Sequence, residues 1–168
     1  MKPVVIIVMG VSGSGKSTIA SQLSVALDVR FIDGDDLHPR TNVEKMATGV
    51  PLTDEDRYPW LQQIAETAAN YTQHGLSAVI VCSALKRAYR DIIRQASDRC
   101  VFLFLDGDRA LLAERMQGRE GHFMKADMLD SQLATLERPQ DDEKDVIRMP
   151  VTLAPAEIVA QTIALLEA

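Results

Sequence analysis

The sequence is short of the features that mark several protein classes. Only two of its 168 residues are cysteines, Cys82 and Cys100, too few and too far apart for a disulfide framework or a structural zinc cluster. The longest uncharged apolar run near the start, Val4 to Met9, is too short to cross a membrane and short for the core of a signal peptide. Neither export nor a membrane partner is expected. Positive charge is in deficit, with 18 Lys and Arg against 24 Asp and Glu and a net charge of −6. That balance argues against nucleic acid or an anionic membrane as the main partner, so any bound anion needs a local cationic site. Repeats, low-complexity tracts and Pro- or Gly-rich linkers are missing as well, and residues 1–168 are expected to form one domain. A chain of this length buries roughly 70% of the surface its unfolded form exposes and folds without metal or disulfide staples. Free thiols in apolar segments fit a reducing compartment, so a cytoplasmic location is expected.

What is present alternates regularly. Short apolar, β-branched runs at Val4–Met9, Val29–Asp33, Ala78–Cys82, Cys100–Leu105 and Val146–Met149 are separated by stretches with helical spacing, such as Ile19, Ala20, Leu23 and Leu27. Runs without in/out alternation predict strands buried on both faces. The expected architecture is therefore three-layer α/β, a mostly parallel sheet with helices on both faces. Two stretches depart from the alternation, an insertion over about residues 35–75 and a segment over about 118–139. Within the insertion, Thr53 followed by Asp54, Glu55 and Asp56 reads as a helix start, with Thr53 as N-cap. That helix is expected to run to His74 and to stop at Gly75.

The first strand leads into Gly10, Val11, Ser12, Gly13, Ser14, Gly15, Lys16 and Ser17, a complete G-x-x-x-x-G-K-[ST] phosphate loop followed by Thr18 and a helix. Glycines let the backbone wrap a triphosphate with its N–H groups inward, and the helix N-terminus adds partial positive charge. Lys16 is expected to reach the β and γ phosphates of ATP, and the Ser17 hydroxyl to sit on Mg²⁺. A GTPase switch would also carry N-K-x-D and D-x-x-G, and neither occurs. A compact kinase fits best, with a non-catalytic nucleotide-binding module as the distant alternative.

A kinase needs an acceptor pocket, and the second strand ends in Asp33-Gly34-Asp35-Asp36 at the carboxyl edge where parallel sheets bind ligands. Asp33 is a candidate to hold Mg²⁺ through water. Asp35 is a candidate to orient or deprotonate an acceptor hydroxyl. The competing interpretation is an acidic turn that caps the next helix, favoured for Asp36.

Phe31-Ile32-Asp33-Gly34-Asp35-Asp36-Leu37-His38-Pro39, then Asn42, Lys45-Met46, Gly49, Pro51-Leu52, Asp54, Asp56-Arg57 and Pro59-Trp60-Leu61, resemble the signature of the gluconate kinases of the phosphate-loop superfamily. The resemblance continues in Cys82-Ser83-Ala84-Leu85-Lys86-Arg87, Tyr89-Arg90-Asp91, Gly121-His122-Phe123, Met128-Leu129, Ser131-Gln132 and Thr135-Leu136-Glu137, covering most of the chain. It implies transfer of the ATP γ-phosphoryl group to the 6-hydroxyl of D-gluconate, usually in a homodimer. It also implies a shikimate-kinase-like core with an acceptor-binding insertion and a lid over about 118–139. A kinase of another small hydroxy acid or of a nucleotide stays open as the nearer alternative.

An acidic sugar needs cations. Lys86, Arg87 and Arg90 fall at i, i+1 and i+4 on a short helix after the third strand, and with the resemblance His38, Arg57, Lys86, Arg90 and His122 become acceptor-site candidates. Without it, each cation is equally a solvated surface charge. Arg115 and Arg119, spaced i and i+4 before the lid, resemble the arginines of small-molecule kinases that cover the base and reach the transferring group. By that analogy Arg115 joins the ATP site and Arg119 the catalytic set, although both also suit a helix C-terminus. Gly118 and Gly121 are candidate hinges. Trp60 is expected in the core, and Cys82, beside the pocket, has no nucleophilic task in phosphoryl transfer.

Overall fold

The structure, a computed structural model, describes residues 1–117 and 125–168. Five strands, β1 (Val5–Met9), β2 (Arg30–Asp33), β3 (Ala78–Val81), β4 (Cys100–Asp106) and β5 (Val146–Pro150), form one parallel sheet in the order β2-β3-β1-β4-β5. Each lies within a residue or so of its expected place. Helices α1 (Lys16–Leu27), α5 (Arg109–Gln117) and α7 (Pro155–Glu167) follow β1, β4 and β5, and α4 (Arg87–Ala96) follows β3. The insertion after β2 contributes a 3-10 turn (Gly34–Leu37), α2 (Arg40–Ala47) and α3 (Asp54–Gln73), while α6 (Lys125–Thr135) precedes β5.

Strand β1 lies at the centre of the sheet, and all five of its residues are buried. Alternate side chains feed two cores, because successive Cβ atoms of a strand point to opposite faces. Ile6 and Val8 join Leu23, Leu103, Leu105 and Ile158 on the α1/α7 side. Val5, Ile7 and Met9 join Leu61, Ile64, Ile80, Ile93 and Phe102 on the α3/α4 side. Each such aliphatic side chain stabilises the fold by about 1.5 to 3 kcal/mol through burial. Burial on both faces holds for β1 and β3 but not for β2, where Arg30 and Phe31 are exposed. The reason is position: β2 is an edge strand, and its charged first residue marks an edge that remains in contact with solvent.

Helix α3 begins as expected. Thr53 caps it by accepting from the Asp56 N–H at 3.1 Å, and Asp56 returns the bond to the Thr53 N–H at 2.9 Å. The same carboxylate takes Lys45 Nζ at 2.6 Å, tying α2 to α3. The Lys45 bond and the Thr53 N–H hold the Asp56 carboxyl down at about 2. At the far end His74 is the C-cap and Gly75 turns the chain with φ +73°.

The strand order places the carboxyl ends of β2, β3, β1 and β4 side by side. The loops after these strands are consequently neighbours, although they come from distant parts of the sequence.

Candidate active site

The loop after β1 folds around its own backbone. Gly10, at φ +146°, sits where a Cβ would come within 3.0 Å of the Leu105 carbonyl, so a side chain there would push the loop off β4. The Ser14 hydroxyl donates to the Val11 carbonyl at 2.7 Å, and Lys16 Nζ donates to the same oxygen at 3.1 Å. Gly15, at φ +89°, is the N-cap of α1 and has no side chain to occupy the space before the helix. A cavity of about 250 Å³ opens there, lined by Ser12, Gly13, Lys16, Ser17, Thr18 and Met116. Backbone N–H groups, a helix N-terminus and a lysine around one cavity are what a polyphosphate requires. All eight motif residues and Thr18 belong to this loop and the helix start. Arg115, on α5, donates through Nη2 to the Val151 carbonyl after β5 at 2.5 Å, which places it over the neighbouring loop.

The loop after β2 carries the acidic turn. Asp33 Oδ1 accepts the Asp35 N–H at 3.0 Å and so caps the 3-10 turn, the capping role weighed above for this segment. Gly34 is pressed on β3 so closely that any Cβ would collide with the Val81 carbonyl. Trp60 holds the turn from the other side: it is buried, donates its indole N–H to the Gly34 carbonyl at 2.7 Å, and stacks on the His38 ring at 4.2 Å between centroids. Its core role therefore includes shaping the site. Partial desolvation by the surrounding turn, then the nearby Asp33, pushes the Asp35 carboxyl above the usual aspartate range, against the pull of His38 and Lys16, although the residue as a whole stays exposed. His38 is shifted down by burial and by Arg57, with Asp35 opposing. Buried Asn42 spans the same region, with its amide nitrogen 2.8 Å from the Asp56 carbonyl and 3.2 Å from His38 Nδ1. Because that nitrogen can only donate, His38 Nδ1 accepts and the neutral ring carries its proton on Nε2.

A second cavity, of about 190 Å³, lies between the insertion, the loop after β3 and α6, with Arg57, Ser83, Lys86, Tyr89, Gln132 and Thr135 in its walls. Lys86 Nζ donates to both Asp54 oxygens at 3.1 and 3.0 Å, the Tyr89 hydroxyl donates to Asp54 at 2.5 Å, and Arg57 Nη1 is 3.8 Å from the same carboxylate. The Tyr89 and Lys86 bonds lower the Asp54 pKa, and the Asp54 contact raises that of Lys86. Two cations and a phenol of this wall already converge on the Asp54 carboxylate.

Arg90 does not face this cavity, which corrects the expectation that it serves the acceptor. Its side chain is 0% exposed and its donors are spent: Nε and Nη2 on Glu143 at 2.8 and 3.0 Å, Nη1 on the Ala84 carbonyl at 2.9 Å, and Nη2 on the Glu137 carbonyl at 2.9 Å. A guanidinium with its fork filled by protein oxygens has nothing left for a ligand. Arg90 instead ties the loop carrying Lys86 to the chain leaving α6. Arg87, further out, pairs with Asp142 at 2.6 Å.

Arg119 and His122, with Gly118, Gly121, Phe123 and Met124, lie outside the described residues. Residues not anticipated for the site are Asp54, Tyr89, Met116 and Gln132. All but Met116 stand in the motif stretches, but only the fold brings Tyr89 and Gln132 to one cavity and Asp54 to the cations that line it. The Cys82 thiol, buried, is pushed up to about 12, and neither cysteine is paired. Among the described residues, no helix is long and apolar enough to cross a membrane.

A parallel sheet whose central strand feeds a glycine-rich loop and a helix N-terminus, with a second polar cavity on the same edge, defines the phosphate-loop kinase fold. A family model described as an AAA domain matches residues 5–139. The chain is 48% identical over 155 residues to the thermosensitive gluconokinase of Escherichia coli K12, covering 92% of this chain and 83% of that protein. It is 51% identical over 149 residues to the gluconokinase of Gluconobacter oxydans 621H, covering 89% and 83%. A crystal structure of a gluconokinase from Sinorhizobium meliloti 1021 superposes with a TM-score of 0.85 at 46% identity, covering 96% of this chain and 90% of that one. The chain belongs to the gluconokinase family.

Proposed function

We propose that the protein transfers the γ-phosphoryl group of ATP to the 6-hydroxyl of D-gluconate, giving 6-phospho-D-gluconate and ADP. The observation that carries this reading is that the turn bearing Asp35, after β2, and the phosphate loop bearing Lys16, after β1, leave the same carboxyl edge of the parallel sheet. A carboxylate in that place can orient a hydroxyl toward a phosphate held by the loop. The gluconokinases named above support the choice of acceptor.

The loop N–H groups and the α1 N-terminus hold the triphosphate, and Lys16 neutralises charge that spreads over the γ-phosphoryl oxygens in the transition state. Asp35, its pKa raised toward the working range, orients the 6-hydroxyl and takes its proton as the oxygen attacks. Arg57 and Lys86, with Tyr89, are the cationic wall for the acceptor carboxylate, replacing Arg90 in that role, and His38 offers its Nε2–H to a hydroxyl. Arg115 covers the base; the family resemblance assigns Arg119 to the catalytic set and His122 to the acceptor. Ser17 and Asp33 offer hard oxygen donors at the same edge, which suits Mg²⁺ when phosphates supply most of its ligands. Bound there, Mg²⁺ would add charge neutralisation at the β and γ oxygens. We infer a cytoplasmic homodimer; the buried free thiols support the first and the family resemblance supports the second.

The test is product identification. Phosphorus NMR of a reaction with ATP, Mg²⁺ and D-gluconate should show a phosphomonoester coupled to the C6 methylene protons. A product esterified elsewhere, or no ester from a folded sample that binds ATP, would overturn the reading.

A further inference from the structure

Gln132 lines the acceptor cavity and is hydrogen-bonded to a residue that lines the phosphate cavity. It lies in the C-terminal half of α6, and its Oε1 accepts the Ser12 N–H of the phosphate loop at 2.7 Å, across 120 positions of sequence. Ser12 lines the phosphate cavity, and Gln132 lines the acceptor cavity with Arg57, Lys86 and Tyr89. The end of α6 is also fixed to the acceptor wall, because the Glu137 N–H donates to the Leu85 carbonyl at 2.8 Å and the Glu137 carbonyl accepts from buried Arg90.

The chemistry of the amide sets its direction. A backbone N–H only donates, so the carbonyl end of Gln132 must face Ser12 and the two N–H donors must point the other way. Among the described residues, no oxygen receives them. Gln132 thus offers donors between a loop built for phosphate and a cavity whose other walls carry a lysine, an arginine and a phenol.

We propose that Gln132 joins the two substrates: its carbonyl fixes the phosphate loop, and its Nε2–H groups donate to the oxygens of the acceptor at the end that meets the phosphoryl group. This rests on the gluconate reading above. It makes Gln132 a substrate-contacting residue as well as a docking point for α6.

Two variants separate these roles. Gln132→Leu removes both bonds, whereas Gln132→Glu keeps an oxygen for the Ser12 N–H and removes the donors. With the full chain, kcat/KM for gluconate should fall at least about tenfold in both, the size of one hydrogen bond to a charged or strongly polarised oxygen, while binding of the analogue AMP-PNP stays at the wild-type level in Gln132→Glu, which keeps the Ser12 bond, and weakens only in Gln132→Leu. Wild-type kcat/KM for gluconate in Gln132→Glu would show that docking is all the side chain does and would overturn the proposal. An equal loss of AMP-PNP affinity in Gln132→Glu would place the effect on the phosphate loop and overturn it too. Failure of the gluconate reading itself is told apart by the wild-type protein, which would then show no gluconate-stimulated ADP release.

Discussion

Trp60 donates its indole N–H to the Gly34 carbonyl at 2.7 Å, and through that bond the long helix α3 holds the turn that carries Asp35. The bond is buried and the partner carbonyl has no solvent to fall back on. Trp60→Phe keeps an aromatic ring against His38 but removes the indole donor, leaving that carbonyl only its bond within the 3-10 turn. Urea unfolding should show a loss of about 0.5 to 1.5 kcal/mol. A displaced catalytic group is costly, so kcat should also fall by at least about tenfold. Lost stability with wild-type turnover would show that the turn stands without the bond.

Lys16→Ala tests the phosphate loop. With the fold intact by circular dichroism, kcat should fall by about 10² to 10³, as for loss of one electrostatic stabiliser of the transition state. Wild-type turnover would remove Lys16 from the mechanism.

Asp35 combines a functional gain with a structural cost. Its folded pKa is raised by partial desolvation and by Asp33, so the charged form penalises the fold at pH values above that pKa, and the penalty is relieved as pH falls through it. Asp35→Asn, neutral throughout, should raise Tm near neutral pH only slightly, because Asp35 is exposed, and sharply lower kcat. In the wild type, kcat should fall as pH drops through the raised pKa. A lower Tm with unchanged kcat would make Asp35 a structural residue only.

The cations divide by exposure. Arg57→Ala and Lys86→Ala should each raise KM for gluconate with little change in stability, since their side chains are 34% and 31% exposed. Arg90→Ala should instead destabilise the protein by about 3 to 5 kcal/mol, because it removes the bidentate partner of the buried Glu143 carboxylate, leaving only Arg94 and the Gln140 N–H on it, and unpairs the Ala84 and Glu137 carbonyls. Steady-state kinetics beside denaturant titrations separate the two patterns, and a KM effect alone in Arg90→Ala would return that residue to the acceptor site.

Glu143 gives the same network an acid limit. Burial alone would raise its pKa, yet the Arg90 and Arg94 bonds override this and hold it at about 2. A carboxyl whose folded pKa is depressed stabilises the fold above its unfolded pKa, and the contribution is lost as pH falls toward the folded value. Between about pH 5 and pH 2 the wild type should therefore lose stability more steeply than Glu143→Gln. Parallel curves from urea titrations across that range would contradict the assignment.

Local chemistry made much of this legible in the sequence. The phosphate loop is a contiguous motif, the strands are unbroken β-branched runs, and Thr53 with Asp56 marks a helix start, so each announces itself within a few residues. Arg90 was not legible, because i and i+4 spacing defines a helix face but not which neighbour that face meets. On α4 the fold turns Arg90 inward and Arg87 outward. The exposure of Phe31 followed from strand order, which no local pattern encodes. The bond between Ser12 and Gln132 depends on how α6 packs against a loop from the other end of the chain.

The most direct test of the whole account is Mg²⁺-dependent ADP release from ATP with D-gluconate, compared with D-glucose and with no acceptor. Glucose shares the 6-hydroxyl but lacks the carboxylate that Arg57 and Lys86 are placed to hold. Release stimulated by gluconate and not by glucose is the predicted result. Equal stimulation by glucose, or none by gluconate in a folded sample that binds ATP, would contradict it.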